Sequence, residues 1–168
     1  MSSSTPEVFS AAVITVSDSC ASGERSDQSG PAVADFLRKK NFSIIGNEIV
    51  PDEEQSIQQA ILLWVKEARL VVTTGGTGIA KRDVTPEATR SVCDRVLEGV
   101  AEWMRSEGAK KTPFAMLSRG ICGVHGSTLI LNLPGSPTGA VESLAAVVEL
   151  LPHALQLLSG NTSHSQTV

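Results

Sequence analysis

Four short, almost wholly apolar runs decide what this 168-residue chain can fold into. They are Ala11-Ala12-Val13-Ile14-Thr15-Val16, Ser43-Ile44-Ile45-Gly46-Asn47-Glu48-Ile49-Val50, Leu70-Val71-Val72-Thr73-Thr74 and Thr128-Leu129-Ile130-Leu131-Asn132-Leu133. Each stops at turn formers, which are Ser17-Asp18-Ser19, Pro51, Gly75-Gly76 and Pro134-Gly135 in that order. The second run is the weakest of the four. Nearly continuous apolar runs of this length suit strands covered on both faces, as in a parallel sheet. Helical spacing fills the intervals. Val33, Phe36 and Leu37 share one helical face, as do Ile57, Ala60, Ile61, Trp64 and Val65. A longer helix starts near Pro137, with Val141, Leu144, Ala145, Val148, Leu151, Leu155 and Leu158 on its stripe. Pro152 predicts a kink or break near Leu151. Pro86 to Arg119 reads as mainly helical, an insertion or a sheet-covering pair. Strand followed by helix, repeated, predicts a single three-layer α/β/α domain with a mostly parallel sheet over residues 11–160. Residues 1–10 and 161–168 are expected to be tails.

Composition removes several function classes. One domain of this length buries roughly 70% of its unfolded surface without metal or disulfide staples. Fourteen Lys and Arg against 18 Asp and Glu give a net charge of −4, which opposes binding to nucleic acid. With no Tyr, four Phe and two Trp, a base-stacking surface is not expected either. No uninterrupted apolar run approaches the ~18 residues of a membrane span, and Met1-Ser2-Ser3-Ser4-Thr5-Pro6-Glu7 lacks an export pattern. The expectation is a cytoplasmic protein with no membrane contact. Cys20, Cys93 and Cys122 are odd in number and widely spaced, so they read as reduced structural thiols. His125 and His153 have no partners at metal-ligand spacing, and Trp64 and Trp103 read as core or subunit contacts.

In an open parallel sheet the strand-to-helix loops emerge at one edge, where ligands bind. Four loops would meet there: Ser17 to Gly30, Pro51-Asp52, Gly75 to Thr85, and Pro134 to Gly139. In the third, Gly75, Gly76 and Gly78 let a backbone turn sharply and bring N–H groups close to an anion, and Thr77 stands among them. A tight connection relieved by glycine is the plainer reading. Thr85 is expected as N-cap with Pro86 at the first helical position. The P-loop pattern fails because Ile79-Ala80 follows Gly78, and the dinucleotide pattern fails because Lys81 stands where a glycine is needed. Asp52 and Asp83 each follow a strand end on neighbouring connections, suited to hold Mg²⁺ over phosphate. Two further readings stay open: Asp52 caps a helix with Gln55 completing a capping box, and Asp83 merely fixes its loop. Gly135 and Ser136 open a helix whose N-terminus favours anions, with Ser136 as cap. Ser29 is expected to cap the helix after the first loop. Ser118-Arg119 offers either a cation for phosphate or a surface salt bridge.

Taken in order, Thr15-Val16-Ser17-Asp18, Asp27-Gln28-Ser29-Gly30-Pro31, Val50-Pro51-Asp52-Glu53, Thr74-Gly75-Gly76-Thr77-Gly78, Arg82-Asp83-Val84-Thr85-Pro86-Glu87-Ala88-Thr89 and Asn132-Leu133-Pro134-Gly135-Ser136 resemble the molybdopterin adenylyltransferase family. That family comprises the MogA-type bacterial enzymes and the G domains of gephyrin and its plant counterpart. Pro113 to Arg119 and Gly126 to Ile130 extend the likeness, which runs from about Ala11 to Gly160. The resemblance implies a molybdopterin-binding fold and a homotrimer that works in molybdenum cofactor biosynthesis. It implies transfer of AMP from MgATP to the terminal phosphate of molybdopterin, with release of pyrophosphate, ahead of molybdate insertion on a partner protein. Asp52 and Asp83 carry over as the catalytic, Mg²⁺-holding carboxylates. Gly75, Gly76, Thr77, Gly78, Gly135, Ser136, Ser17, Asp18, Ser118 and Arg119 carry over as substrate-binding positions. The Pro-Asp and Arg-Asp-Val-Thr-Pro signatures favour the MogA-type branch over the MoaB-type branch, while Ala80-Lys81 departs from a less charged, Pro-containing pair. A non-catalytic protein that binds or delivers molybdopterin is the alternative.

Overall fold

A computed structural model describes residues 5–161. The strands are β1 (Phe9–Val16), β2 (Phe42–Val50), β3 (Leu70–Thr74), β4 (Arg95–Val96), β5 (Cys122–His125) and β6 (Thr128–Leu133). The helices are α1 (Asp18–Ala21), α2 (Ser29–Lys39), α3 (Glu54–Trp64), α4 (Thr85–Val92), α5 (Glu98–Ala109), α6 (Pro137–Val147) and α7 (Leu151–Leu158). Tails were expected at 1–10 and 161–168. Phe9 and Ser10, placed in the first of them, instead begin β1, where Phe9 pairs with Phe42 and is buried. Residues 1–4 and 162–168 lie outside the described residues.

The four apolar runs form the parallel part of one six-stranded sheet, in the order β2-β1-β3-β6-β5-β4. Strand periodicity divides their side chains between two faces. Ala11, Val13, Leu70, Val72, Leu129 and Leu131 point to the side covered by α2, α5, α6 and α7. Ala12, Ile14, Val16, Val71 and Ile130 point to the side covered by α3 and α4. Because both faces of β1, β3 and β6 are dry, alternation is absent from their sequences. β2 is the exception: it lies at the sheet edge, and its burial alternates along most of its length. Its register shifts between Ala11 and Ala12 of β1, and the Trp64 indole lies over Gly46, where a side chain would collide with it.

The stretch Pro86 to Arg119 is mainly helical, with α4 on one face of the sheet and α5 on the other. Two strands were not anticipated. β5 runs antiparallel to β6, and β4 antiparallel to β5. The long C-terminal helix breaks as expected, through a 3₁₀ turn at Val148–Leu150, before α7 starts at Leu151 with Pro152 in its first turn. By length and composition alone, Pro137–Leu158 is apolar enough to cross a bilayer, although no run there is uninterrupted. In the fold, its Leu144, Val147, Leu151 and Leu155 pack into the core. All three cysteines are free thiols; burial pushes Cys93 up to about 11 and Cys122 up to about 12, so neither is a ready nucleophile.

Candidate active site

The sheet order delivers the four loops to one edge, where they line two adjoining cavities. A polar one of about 540 Å³ is bordered by Ser17, Asp27, Asp52, Asp83 and Gly135, among others. A more apolar one of about 500 Å³ is bordered by Thr77, Gly78, Met104, Phe114 and Ser118, among others. Gly76, Asp83, Gly135 and Ser136 border both. Asp52 and Asp83, expected on neighbouring connections, thus meet at one cavity.

The glycine loop between β3 and α4 is held from three sides. Gly75 N–H donates to Leu133 (3.0 Å), prolonging the β3–β6 ladder by one residue. Gly75 and Gly76 then take positive φ, +105° and +67°, which side chains rarely adopt. A side chain at Gly75 would strike the Val16 carbonyl, and one at Gly76 the Thr85 hydroxyl. Thr85 closes the turn, with its hydroxyl donating to the Gly75 carbonyl (2.9 Å) and its N–H to that of Gly76 (3.1 Å). It is therefore not the N-cap of α4. Val84 holds that position, and the buried carbonyl of Gly75 claims the hydroxyl instead.

Arg119 grips the outer side. Its N–H donates to Thr77 (2.8 Å), its Nε to the Gly78 carbonyl (2.8 Å) and its Nη2 to the Asp83 carbonyl (2.7 Å). Glu87 pairs with the same guanidinium, whose hydrogen bond holds the Glu87 carboxyl below its usual range. The salt bridge expected of Arg119 is present, while Arg119 lines neither cavity and braces the glycine loop from outside. Ser118 lines the apolar cavity, and its hydroxyl accepts from Gly120 N–H (3.3 Å).

The capping expectations at Asp52 and Ser29 do not hold. Glu53 is the N-cap of α3 and makes no side-chain cap bond. The Asp52 carboxylate reaches instead to the first loop, where its Oδ2 accepts from Asp18 N–H (2.8 Å). Asp52 N–H in return donates to Asp18 Oδ1 (3.0 Å). At α2 the N-cap is Gln28; Asp27 Oδ1 accepts from Gly30 N–H (3.1 Å), while its Oδ2 accepts from the Thr15 hydroxyl (2.8 Å). Ser17 caps the single turn of α1, accepting from Cys20 N–H (3.2 Å). Ser136 caps α6 as expected, accepting from Gly139 N–H (3.1 Å) with Pro137 in the first turn.

Electrostatics separates the three acids. Both arms of Arg82 reach Asp18, Nε to Oδ2 at 2.6 Å and Nη2 to Oδ1 at 2.9 Å. Those bonds, with the Asp52 N–H, hold the Asp18 carboxyl below the usual range, and Asp18 raises Arg82 in turn. Asp52 is pushed up, first by burial and then by the negative charges of Asp18 and Asp83. Arg82 opposes that rise only in part, and a bound cation would relieve the rest. Asp83 Oδ2 accepts from Ala80 N–H (3.0 Å), which fixes its loop. Among the described residues, the second oxygens of Asp52 and Asp83 take no hydrogen bond, so each acid anchors a loop with one oxygen and keeps the other. No cluster of three or more His, Cys, Asp or Glu suited to hold a metal occurs among the described residues. The groups able to hold a cation here are the free oxygens of Asp52 and Asp83; with only two protein ligands, a hard cation such as Mg²⁺ would complete its shell with phosphate and water.

Two contributors were not picked out as site residues. Asp27 opens the Asp27-Gln28-Ser29-Gly30-Pro31 motif, and its carboxylate shapes the first loop. Asn132 is fully enclosed: its Nδ2 donates to the Thr73 and Thr89 hydroxyls (2.9 Å each), and its Oδ1 accepts from Ile121 N–H (3.1 Å). A lone amide inside an otherwise apolar strand was the available signal.

Comparison with known proteins agrees with this fold. Residues 12–153 match the family model described as a probable molybdopterin binding domain. The chain is 44% identical over 155 residues to the molybdenum cofactor synthesis protein cinnamon of Drosophila melanogaster, covering 90% of this chain but only 26% of that protein. It is 40% identical over 153 residues to the molybdopterin adenylyltransferase of Helicobacter pylori strain J99, covering 89% of this chain and 87% of that one. The crystal structure of the molybdopterin biosynthesis enzyme MoaB from Thermus thermophilus superposes with a TM-score of 0.86 at 51% identity, covering 90% and 97% of the two chains. Relatives bearing an adenylyltransferase name and a MoaB name share this architecture, so the fold does not separate the two branches. On its sequence, its sheet and its converging loops, this chain belongs to the molybdopterin adenylyltransferase family of molybdenum cofactor biosynthesis proteins.

Proposed function

We propose that this protein transfers AMP from ATP to the terminal phosphate of molybdopterin and releases pyrophosphate. The observation that carries the proposal is the pairing of Asp52 and Asp83 at the polar cavity, beside a braced glycine loop that borders a second, more apolar cavity. A binding or delivery protein needs the cavities but has no use for two carboxylates that each withhold one oxygen from the fold. The adenylyltransferase name of the Helicobacter pylori relative supports the same activity.

In this reading the flat pterin lies in the apolar cavity and the nucleotide phosphates in the polar one, with the reacting groups at the shared border. An oxygen of the pterin phosphate attacks the α-phosphorus of ATP; the bond from that phosphorus to the bridging β-oxygen breaks, and pyrophosphate leaves. The nucleophile is already an anion at neutral pH, so no residue has to remove a proton. The burden falls on alignment and charge. Backbone N–H groups of the loop at Gly76, Thr77 and Gly78 and the N-terminus of α6 behind Gly135 and Ser136 hold phosphate oxygens. Ser17 and Ser118 border the cavities as further contacts. Asp52 and Asp83 would hold Mg²⁺, which would neutralise phosphate charge when bound. Three exposed apolar side chains, Phe114, Met116 and Leu117, support the homotrimer as the working assembly, and a molybdate-inserting protein is the proposed recipient of the product.

The test is incubation with molybdopterin, ATP and Mg²⁺, read as pyrophosphate and adenylylated pterin. Formation of both supports the proposal. Tight, ATP-independent pterin binding with neither product selects the delivery reading. Light scattering at three times the 17.6 kDa chain mass supports the trimer, and a monomer refutes it.

A further inference from the structure

Asp18, expected as a substrate-binding position, lines neither cavity; with Arg82, which has no assigned role, it joins the loops that carry Asp52 and Asp83. Asp18 exchanges two backbone-to-carboxylate bonds with Asp52, at 2.8 and 3.0 Å. It also receives the Arg82 fork at 2.6 and 2.9 Å, and Arg82 is bonded in the chain to Asp83. Three of the roughly four lone-pair directions of the Asp18 carboxylate are thereby filled. A charged carboxylate so engaged repels phosphate rather than binding it. The fork fixes direction as well as distance, because both guanidinium N–H groups must meet both oxygens. It spans 64 residues of sequence and reaches the loop between Gly78 and Thr85. Both side chains are about half exposed, 58% for Arg82 and 45% for Asp18, so the pair adds little to global stability.

We propose that Asp18 and Arg82 are positioning residues: they latch the Asp83 loop to the Asp52 loop, so that both carboxylates face the reacting phosphates together, and neither touches substrate. The proposal rests on the adenylyl-transfer reading, and its test separates the two.

Hydrogen exchange on the free protein is the first measurement. Arg82→Gln is expected to speed exchange at the Asp52 amide and across residues 77–83 while the melting temperature holds. Unchanged exchange overturns the latch whether or not the wild type turns over. Faster exchange together with an inactive wild type keeps the latch as a coupling between loops and removes the adenylyl-transfer reading. The second measurement is steady-state kinetics. Arg82→Gln is expected to lower kcat by about 10- to 100-fold, the cost of a misplaced reacting group, with KM for ATP and pterin near wild type. Arg82→Lys, which keeps the charge without the fork, recovers part of the loss. Asp18→Asn combined with Arg82→Gln is no worse than the more severe single variant, as expected for one shared device. A raised KM for ATP with unchanged kcat makes Arg82 a phosphate ligand, and additive losses make the two residues independent. Either result overturns the proposal.

Discussion

Gly76→Ala tests how the glycine loop is held. The backbone there has φ +67°, and placing an alanine in that region costs about 1–2 kcal/mol. The new methyl would strike the Thr85 hydroxyl, which now bonds the Gly75 carbonyl at 2.9 Å in a buried setting. Displacing that hydroxyl strands the carbonyl and costs a further ~1–3 kcal/mol. The sum is about 2–5 kcal/mol, a large share of the ~5–15 kcal/mol that holds a domain together. Gly23→Ala is the control: its φ is +81°, but nothing lies within 4 Å of the added methyl, so only the backbone part applies. Urea unfolding followed by far-ultraviolet circular dichroism should place Gly76→Ala below Gly23→Ala by about 1–3 kcal/mol, the value of the lost bond. Turnover should also fall, because the methyl would sit 3.1 Å from Asp52 Oδ1. Equal stabilities for the two variants would refute the claim that Thr85 closes this turn.

Two other outcomes are expected. Asn132→Ala removes two donors to buried threonine hydroxyls and the acceptor for Ile121 N–H, so urea unfolding should show a loss of about 2–4 kcal/mol; a loss below ~1 kcal/mol contradicts the network. Asp52 is raised in the fold, so the native state binds more protons than the unfolded state between the ordinary Asp value of 3.8 and its own. Its contribution to stability therefore falls as pH rises through that window, and the penalty remains at neutral pH. Asp18 works the other way: its lowered carboxyl adds stability above 3.8 that is lost as pH falls through its folded value. In metal-free buffer at pH 7, Asp52→Asn should melt higher than the wild type while losing turnover. A lower melting temperature contradicts the charge crowding described here.

Residues buried on both faces announce themselves in sequence, and β1, β3 and β6 were legible for that reason. The glycines and acids at their ends were legible because turns and phosphate loops need particular residue types. β5 was not, since four residues containing Gly123 carry too little pattern, and the two-residue β4 carries less. The helix caps differ from local expectation for a physical reason. Local spacing allowed Thr85, Ser29 and Asp52 to cap helices, yet Thr85 meets a buried carbonyl and Asp52 meets Asp18, partners that only the folded chain supplies. The Arg82–Asp18 fork joins positions with no sequence relation. Arg119 was seen as a cation, but its three backbone acceptors depend on how the 3₁₀ turn at Pro113–Leu117 delivers it to the loop.

Asp83→Asn puts the central claim to its most direct test. The amide oxygen can still accept from Ala80 N–H, so the loop keeps its anchor while the charge is removed. Single-turnover pyrophosphate release with saturating molybdopterin, ATP and Mg²⁺ should fall by at least about 10²- to 10³-fold, the usual cost of losing one charge-managing group, with pterin affinity and melting temperature retained. Release at the wild-type rate would contradict the account, because phosphoryl charge would then be managed elsewhere than at these two acids.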